Sequence, residues 1–212
     1  MPDFSLEQRL RGTVAGIDEA GRGPWAGPVV AGAAVLDRET LDEDLKNSLN
    51  DSKQLSASAR ETIHAALEAS PAATFAIGVA TVEEIDAHNI LQATYLAMQR
   101  AVEALADVLG GPVDAALVDG NQMPRLPYAV QSVVKGDSRS LSIAAASIVA
   151  KVSRDRMMAK LAREFPGYGW ENNQGYGTAE HKIALDGLGV TPHHRTSYAP
   201  VRAVLARQEQ GR

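Results

Sequence analysis

Apolar positions along this chain follow two rhythms. Residues 13–18, 28–36, 74–80, 114–118 and 128–134 are short apolar runs bounded by turn-forming residues, which predicts five strands. Between the first two lies Gly21-Arg22-Gly23-Pro24-Trp25-Ala26-Gly27, a tight loop joining one strand to a returning one. The second rhythm is helical. Leu91, Tyr95, Met98, Val102, Leu105 and Leu109 recur at steps of four and three, a stripe read as core, after a capping-box signal at Thr81 and Glu84. Ser56 or Ser58 can cap a helix running to about residue 69, and the segment 140–165, rich in alanine and charge and free of Pro and Gly, predicts a long helix. Strands and helices in mixed order, with no repeat or long linker, predict one α/β domain over residues 1–212 built on a mixed sheet.

Composition narrows the class without giving a function. Of 212 residues, 45% are hydrophobic and 22% charged, which excludes a disordered or collagen-like chain. The longest apolar run, residues 29–36, is far shorter than the about 20 residues a bilayer span needs, and no signal-like segment opens the chain. A soluble, cytoplasmic protein with no membrane partner is expected. The absence of cysteine removes disulfides, thiolate metal sites and cysteine nucleophiles together. The net charge of −5 argues mildly against a nonspecific nucleic-acid coat, but the sum hides a segregation. Residues 37–51 hold six acids and two bases, whereas residues 135–163 hold seven bases and two acids. The basic segment is either a solvated helix surface or a face for a polyanion.

Carboxylates stand where apolar runs end. Asp18-Glu19, Asp119 and Asp137 follow three predicted strands, so four acids would converge if those ends share one sheet edge. Such convergence is costly unless bound cations offset it, and oxygen-only donors suit hard ions such as Mg2+ or Mn2+. Successive strand residues face opposite ways, so Asp18 and Glu19 can reach one ion only if the strand ends or bends there. Gly21, Gly23 and Pro24 supply the means. Gly21-Arg22-Gly23 also admits close approach of bare backbone to whatever lies over the acids. It lacks the third glycine of a dinucleotide loop and no Gly-Lys-Ser/Thr follows, which disfavours a nucleotide cofactor. Each acid alone reads as an ordinary loop residue; the set beside the glycine loop does not.

Gly16-Ile17-Asp18-Glu19-Ala20-Gly21-Arg22-Gly23-Pro24 resembles the N-terminal signature of ribonuclease HII, the type 2 ribonuclease H family. Asp51-Ser52-Lys53-Gln54-Leu55-Ser56, Val118-Asp119-Gly120, Lys135-Gly136-Asp137-Ser138, Gly175-Tyr176-Gly177-Thr178 and Thr191-Pro192-His193-His194-Arg195 continue the resemblance in order, over about residues 13–198. A polar tail at about 202–212, expected to be a frayed helix end, lies outside it. The resemblance implies a ribonuclease H-like fold, a mixed five-stranded sheet flanked by helices with a C-terminal helical extension. It also implies an endoribonuclease that hydrolyses the RNA strand of RNA/DNA hybrids and cuts 5′ to single ribonucleotides embedded in duplex DNA. The products would carry 3′-hydroxyl and 5′-phosphate ends, and the reaction would begin the removal of misincorporated ribonucleotides.

Carried over position by position, Asp18, Glu19, Asp119 and Asp137 would be catalytic and would hold two divalent ions, Mn2+ or Mg2+. Gly21, Arg22 and Gly23 would meet the 2′-hydroxyl through their backbone, and Tyr176 the sugar at the RNA–DNA junction. Ser52, Lys53, Ser147, Lys151 and Arg195 would contact phosphates. The expected partner is nucleic acid and the chain itself a monomer. Arg154 and Asp155 read as structural pairs, and the histidines carry no role that spacing supplies. Two other readings stay open. One is another ribonuclease H-like nuclease acting on DNA junctions, which the same acids would serve; the other is a noncatalytic binding module operating through residues 135–163.

Overall fold

The computed structural model describes residues 1–50, 52, 54–121 and 123–210; Lys53, expected among the phosphate contacts, and Asp51 lie outside the described residues. All five predicted strands form: β1 (Val14–Ala20), β2 (Val29–Leu36), β3 (Ala73–Ala80), β4 (Ala115–Asp119) and β5 (Ala129–Val133). Their order across the sheet is β3-β2-β1-β4-β5, with β2 antiparallel to β1 and β3, and β4 parallel to β1 and β5. The helices, in chain order, are α1 (Glu43–Ser48), α2 (Ala57–Ala69), α3 (Val82–His88), α4 (Ile90–Leu109), α5 (Leu141–Glu164), α6 (Trp170–Asn173), α7 (Ala179–Leu188) and α8 (Ala199–Gln210). None of the described helices is long and apolar enough to cross a membrane.

Glycines set how closely the layers approach. A Cβ at Gly16 of β1 or Gly32 of β2 would collide with the backbone of α5 at Ser142 and Ala146, so that helix lies directly on the sheet. Its other side is covered by α1 and α2 through Leu45, Leu49, Ile63 and Leu67, which is why residues 141–150 are buried all round and show no single apolar stripe. On the opposite face Gly78 receives α4 at Ala97 and Ala101, and Met98, Val102 and Leu105 complete that core with Ile17, Ala31 and Val118.

Helix starts show where local chemistry decided. Thr81 and Glu84 form the expected capping box, but it opens the separate seven-residue α3 rather than the long helix carrying the stripe. Asn89, at φ 69°, breaks the chain, and its side chain accepts from Leu91 and Gln92 N–H to start α4. Ser56, not Ser58, caps α2. The C-terminal segment is a helix to Gln210, fastened by Val201 and Val204 packing on Leu185. A further clasp comes from the N-terminus, where buried Glu7 accepts through Oε1 from the Ser140 hydroxyl at 2.7 Å and Ser142 N–H at 3.0 Å. It pins the start of α5 just beyond the turn Gly136–Ser138 that carries Asp137.

Candidate active site

The expectation that β1 ends or bends at Asp18-Glu19 needs correction. Pairing with β4 stops at Ile17↔Val118, but pairing with β2 runs on through Asp18↔Gly32 and Glu19↔Ala31 to Ala20↔Val30. The strand stays extended and only one of its edges opens, so alternation holds. Asp18 turns toward α5, buried, accepting from Glu19 N–H at 2.7 Å and from the Ser147 hydroxyl, which lies 2.7 Å from that of Ser52. Glu19 lies between two clefts. One, of about 300 Å3, is shared with Gly21, Gly23, Ser147, Lys151 and Tyr176; the other, of about 200 Å3, opens on the α4 side beside Asp119 and Asn121.

Asp119 closes β4, and its Oδ1 accepts from Gly136 N–H at 2.6 Å, which fastens the turn bearing buried Asp137 beside it. Burial, then Glu19, then Asp119 push the Asp18 carboxyl well above the ordinary aspartate range. Glu19 and Asp119 therefore both act on Asp18, and the fourth expected acid sits on a turn tied to Asp119. Among the described residues no three His, Cys, Asp or Glu side chains are placed to ligate one ion together. The donor set is nevertheless all oxygen and its mutual repulsion is what a hard divalent cation would relieve, so Mg2+ or Mn2+ fits its chemistry.

The glycine loop is held close against its neighbours. Gly21 has φ 98°, and a Cβ there would run into the Arg154 guanidinium. A Cβ at Gly23 would stand 3.4 Å from Tyr176 Cε1, so the half-exposed tyrosine ring lies over the loop. Arg22 turns its guanidinium back to Glu19 at 3.2 Å. Residues 15–201 match the family described as Ribonuclease HII. The chain belongs to that family.

Ribonuclease HII of Rhodospirillum rubrum is 61% identical over 207 residues, covering 98% of this chain and 93% of its own length. Among solved structures, ribonuclease H2 from Pyrococcus horikoshii OT3 superposes with a TM-score of 0.78 at 28% identity, over 93% of this chain and 99% of that one. Bst-RNase HIII in complex with Mn2+ shares the fold at a TM-score of 0.77 and 21% identity, over 99% of this chain and 75% of its own. The fold is ribonuclease H-like, and the protein is a hydrolytic endoribonuclease of ribonuclease H type 2 that acts on nucleic acid.

Within this ribonuclease HII chain the cations are not where a phosphate reader would put them all. Arg195 is 0% exposed, so the expected phosphate contact is replaced by an internal one. Its guanidinium donates to the carbonyls of Gly21 at 2.5 Å, Arg22 at 2.9 Å, Gly27 at 2.8 Å and Pro28 at 3.2 Å. Arg154 likewise donates to the carbonyls of Ala26, Pro28 and Gln174, and burial plus the adjacent Arg195 draw its pKa down to about 10. Asp155 pairs not with Arg154 but with Lys151 at 2.6 Å and Arg60 at 3.8 Å, because adjacent helix residues point apart. Lys151 still borders the larger cleft, as do Ser52 and Ser147.

Behind Tyr176 lie two buried histidines, His181 and His194, whose Nε2 atoms are 3.1 Å apart. Burial, and for His194 also the neighbouring His181, hold both below the ordinary histidine range, His194 at about 3. Since the unfolded chain then binds more protons, stability is complete above the ordinary value near 6.5 and is lost as pH falls toward the folded values, at up to ~1.4 kcal/mol per pH unit for each histidine. Urea unfolding between pH 7.5 and 5 should show this slope, and His194→Gln should flatten it. Equal slopes in the two proteins would contradict neutral burial.

Proposed function

We propose that this chain hydrolyses the RNA strand of RNA/DNA hybrids and cuts 5′ to single ribonucleotides in duplex DNA, leaving 3′-hydroxyl and 5′-phosphate ends. In the cytoplasm this would begin excision of misincorporated ribonucleotides. The observation that carries the proposal is the meeting of Glu19, the Gly21–Gly23 backbone and the Tyr176 ring in one cleft, with Asp18 and Asp119 electrostatically coupled beside it. Asp18, Glu19, Asp119 and Asp137 would hold two divalent ions, and the Mn2+ in Bst-RNase HIII supports manganese as one competent choice. Such ions, when bound, supply Lewis acidity at the scissile phosphate and a more acidic attacking water.

The chain's own residues supply position and discrimination. The backbone of Gly21, Arg22 and Gly23 would contact the 2′-hydroxyl, the group that separates RNA from DNA at a given sugar. Tyr176 would pack on the sugar that follows. Ser147, which lines the cleft, donates to Asp18 and would hold that carboxylate behind it, while Lys151, Ser52 and Lys53 would meet flanking phosphates, which position without specifying.

A labelled DNA duplex with a single ribonucleotide, beside an all-DNA duplex, tests the reading in Mg2+, in Mn2+ and in chelator. Metal-dependent cutting 5′ to the ribonucleotide is expected, with the all-DNA duplex untouched; equal cutting of both duplexes, or none of either, would overturn it. Tyr176→Ala should lower the preference for the embedded ribonucleotide about tenfold, the scale of one lost positioning contact.

A further inference from the structure

We infer that His181 and His194, which touch no substrate themselves, are positioning residues for junction discrimination: they set where the Tyr176 ring stands relative to the Gly21–Gly23 backbone. The inference rests on the reading above, in which those two elements meet the ribonucleotide.

Donors and acceptors fix the direction of the chain they form. Thr191 presents its N–H at 3.0 Å and its hydroxyl at 2.9 Å to His194 Nδ1, which makes that nitrogen an acceptor and leaves the ring proton on Nε2. That proton points at His181 Nε2, 3.1 Å away, an atom that also receives the Trp170 indole N–H at 3.2 Å. His181 must therefore carry its proton on Nδ1, and it donates it to the Tyr176 carbonyl at 2.9 Å. Thr191, His194, His181 and Tyr176 are thus one polarised run of hydrogen bonds ending on the main chain of the tyrosine.

The same strip of chain grips the other element. Arg195 follows His194 directly and holds the Gly21 and Arg22 carbonyls, while its own N–H donates to Trp25 O at 2.8 Å and Trp25 N–H donates to Gly175 O at 2.8 Å. Residues 194 and 195 therefore fasten the tyrosine and the glycine loop to one another. The two imidazoles are 0% and 1% exposed, so they act on the substrate only through the groups they hold, of which Tyr176 is the one His181 bonds directly at the cleft.

Two isosteres separate positioning from mere filling of a polar hole. His181→Asn keeps an amide nitrogen at the Nδ1 position and with it the bond to Tyr176; His181→Gln keeps polarity near Nε2 and loses that bond. The readout is the ratio of kcat/KM on a duplex with one ribonucleotide to that on a continuous hybrid. His181→Gln is expected to lower the ratio about tenfold, as Tyr176→Ala does, and His181→Asn to hold it within about twofold. Equal ratios in Asn and Gln variants, with Tyr176→Ala shifted, would overturn the inference while leaving the function standing; an unshifted Tyr176→Ala would remove the reading and the inference with it. Independently of folding in any variant, 15N imidazole spectra of the unmodified protein should show Nδ1–H on His181 and Nε2–H on His194. The reverse tautomers would also overturn the inference.

Discussion

Asp18→Asn is expected to stop turnover, by on the order of 10³-fold or more, while binding of a ribonucleotide-containing duplex changes only a fewfold. The substitution takes negative charge from the site and leaves the cleft-lining Lys151 and the glycine loop in place. A second effect has the opposite sign. Ionising Asp18 in the folded protein is opposed by burial, by Glu19 and by Asp119. For a carboxyl raised in this way, the stability it contributes is complete below the ordinary value of 3.8 and is lost as pH rises through the folded value. Asparagine escapes that loss. In metal-free buffer the variant should therefore melt higher than the unmodified protein, by a margin that widens from acid to neutral pH. Added Mn2+ should raise the melting temperature of the unmodified protein more than that of the variant. Thermal melts across pH with and without Mn2+ check this, and undiminished turnover would remove Asp18 from the catalytic set.

Arg195→Ala should produce the largest loss of stability. The carbonyls of Gly21, Arg22, Gly27 and Pro28 share this one guanidinium; on truncation Pro28 O keeps Arg154 and Arg22 O keeps the Tyr198 hydroxyl, but the buried Gly21 and Gly27 carbonyls lose the donor they share. At about 1–3 kcal/mol for each buried group left unsatisfied, the loss is a large part of the about 5–15 kcal/mol that holds an ordinary domain folded. Little soluble protein is expected, and Arg195→Lys, with a compact ammonium in place of a fork, should recover only part of the urea midpoint. Were Arg195 a phosphate contact, the alanine variant would instead fold normally, bind duplex more weakly and show a shallower salt dependence. Soluble yield, urea midpoint and salt slope distinguish the two.

The contrast between Asp18 and Arg195 shows what could be read from residue order. Strand-length apolar runs located all five strands, and acids placed at their ends located Asp18, Glu19 and Asp119 near one edge, since backbone periodicity is a local property. The fate of β1 was not local: its open edge arises because β4 stops pairing at Val118 while β2 continues. Arg195 went the wrong way for a related reason. A guanidinium donating to carbonyls has partners that every residue possesses, so no side-chain pattern signals it. The break at Asn89 and the clasp of Glu7 on the start of α5 belong to the same class, one set by a single backbone angle and the other by a contact 133 residues distant in sequence.

Because the guanidiniums of Arg154 and Arg195 are lined by main-chain oxygens from Gly21 to Pro28, that lining follows chain length, not side-chain identity. Exchanging the Arg22 side chain leaves its carbonyl in place. Deleting one residue between Gly23 and Gly27 displaces the following carbonyls by about 3.5 Å, beyond hydrogen-bond reach of both cations at once. The connection between β1 and β2 should therefore tolerate exchange at Arg22, though not at Gly21 or Gly27, where a Cβ would collide with Arg154 or Met158, and resist even the smallest insertion or deletion, an unusual demand for a loop.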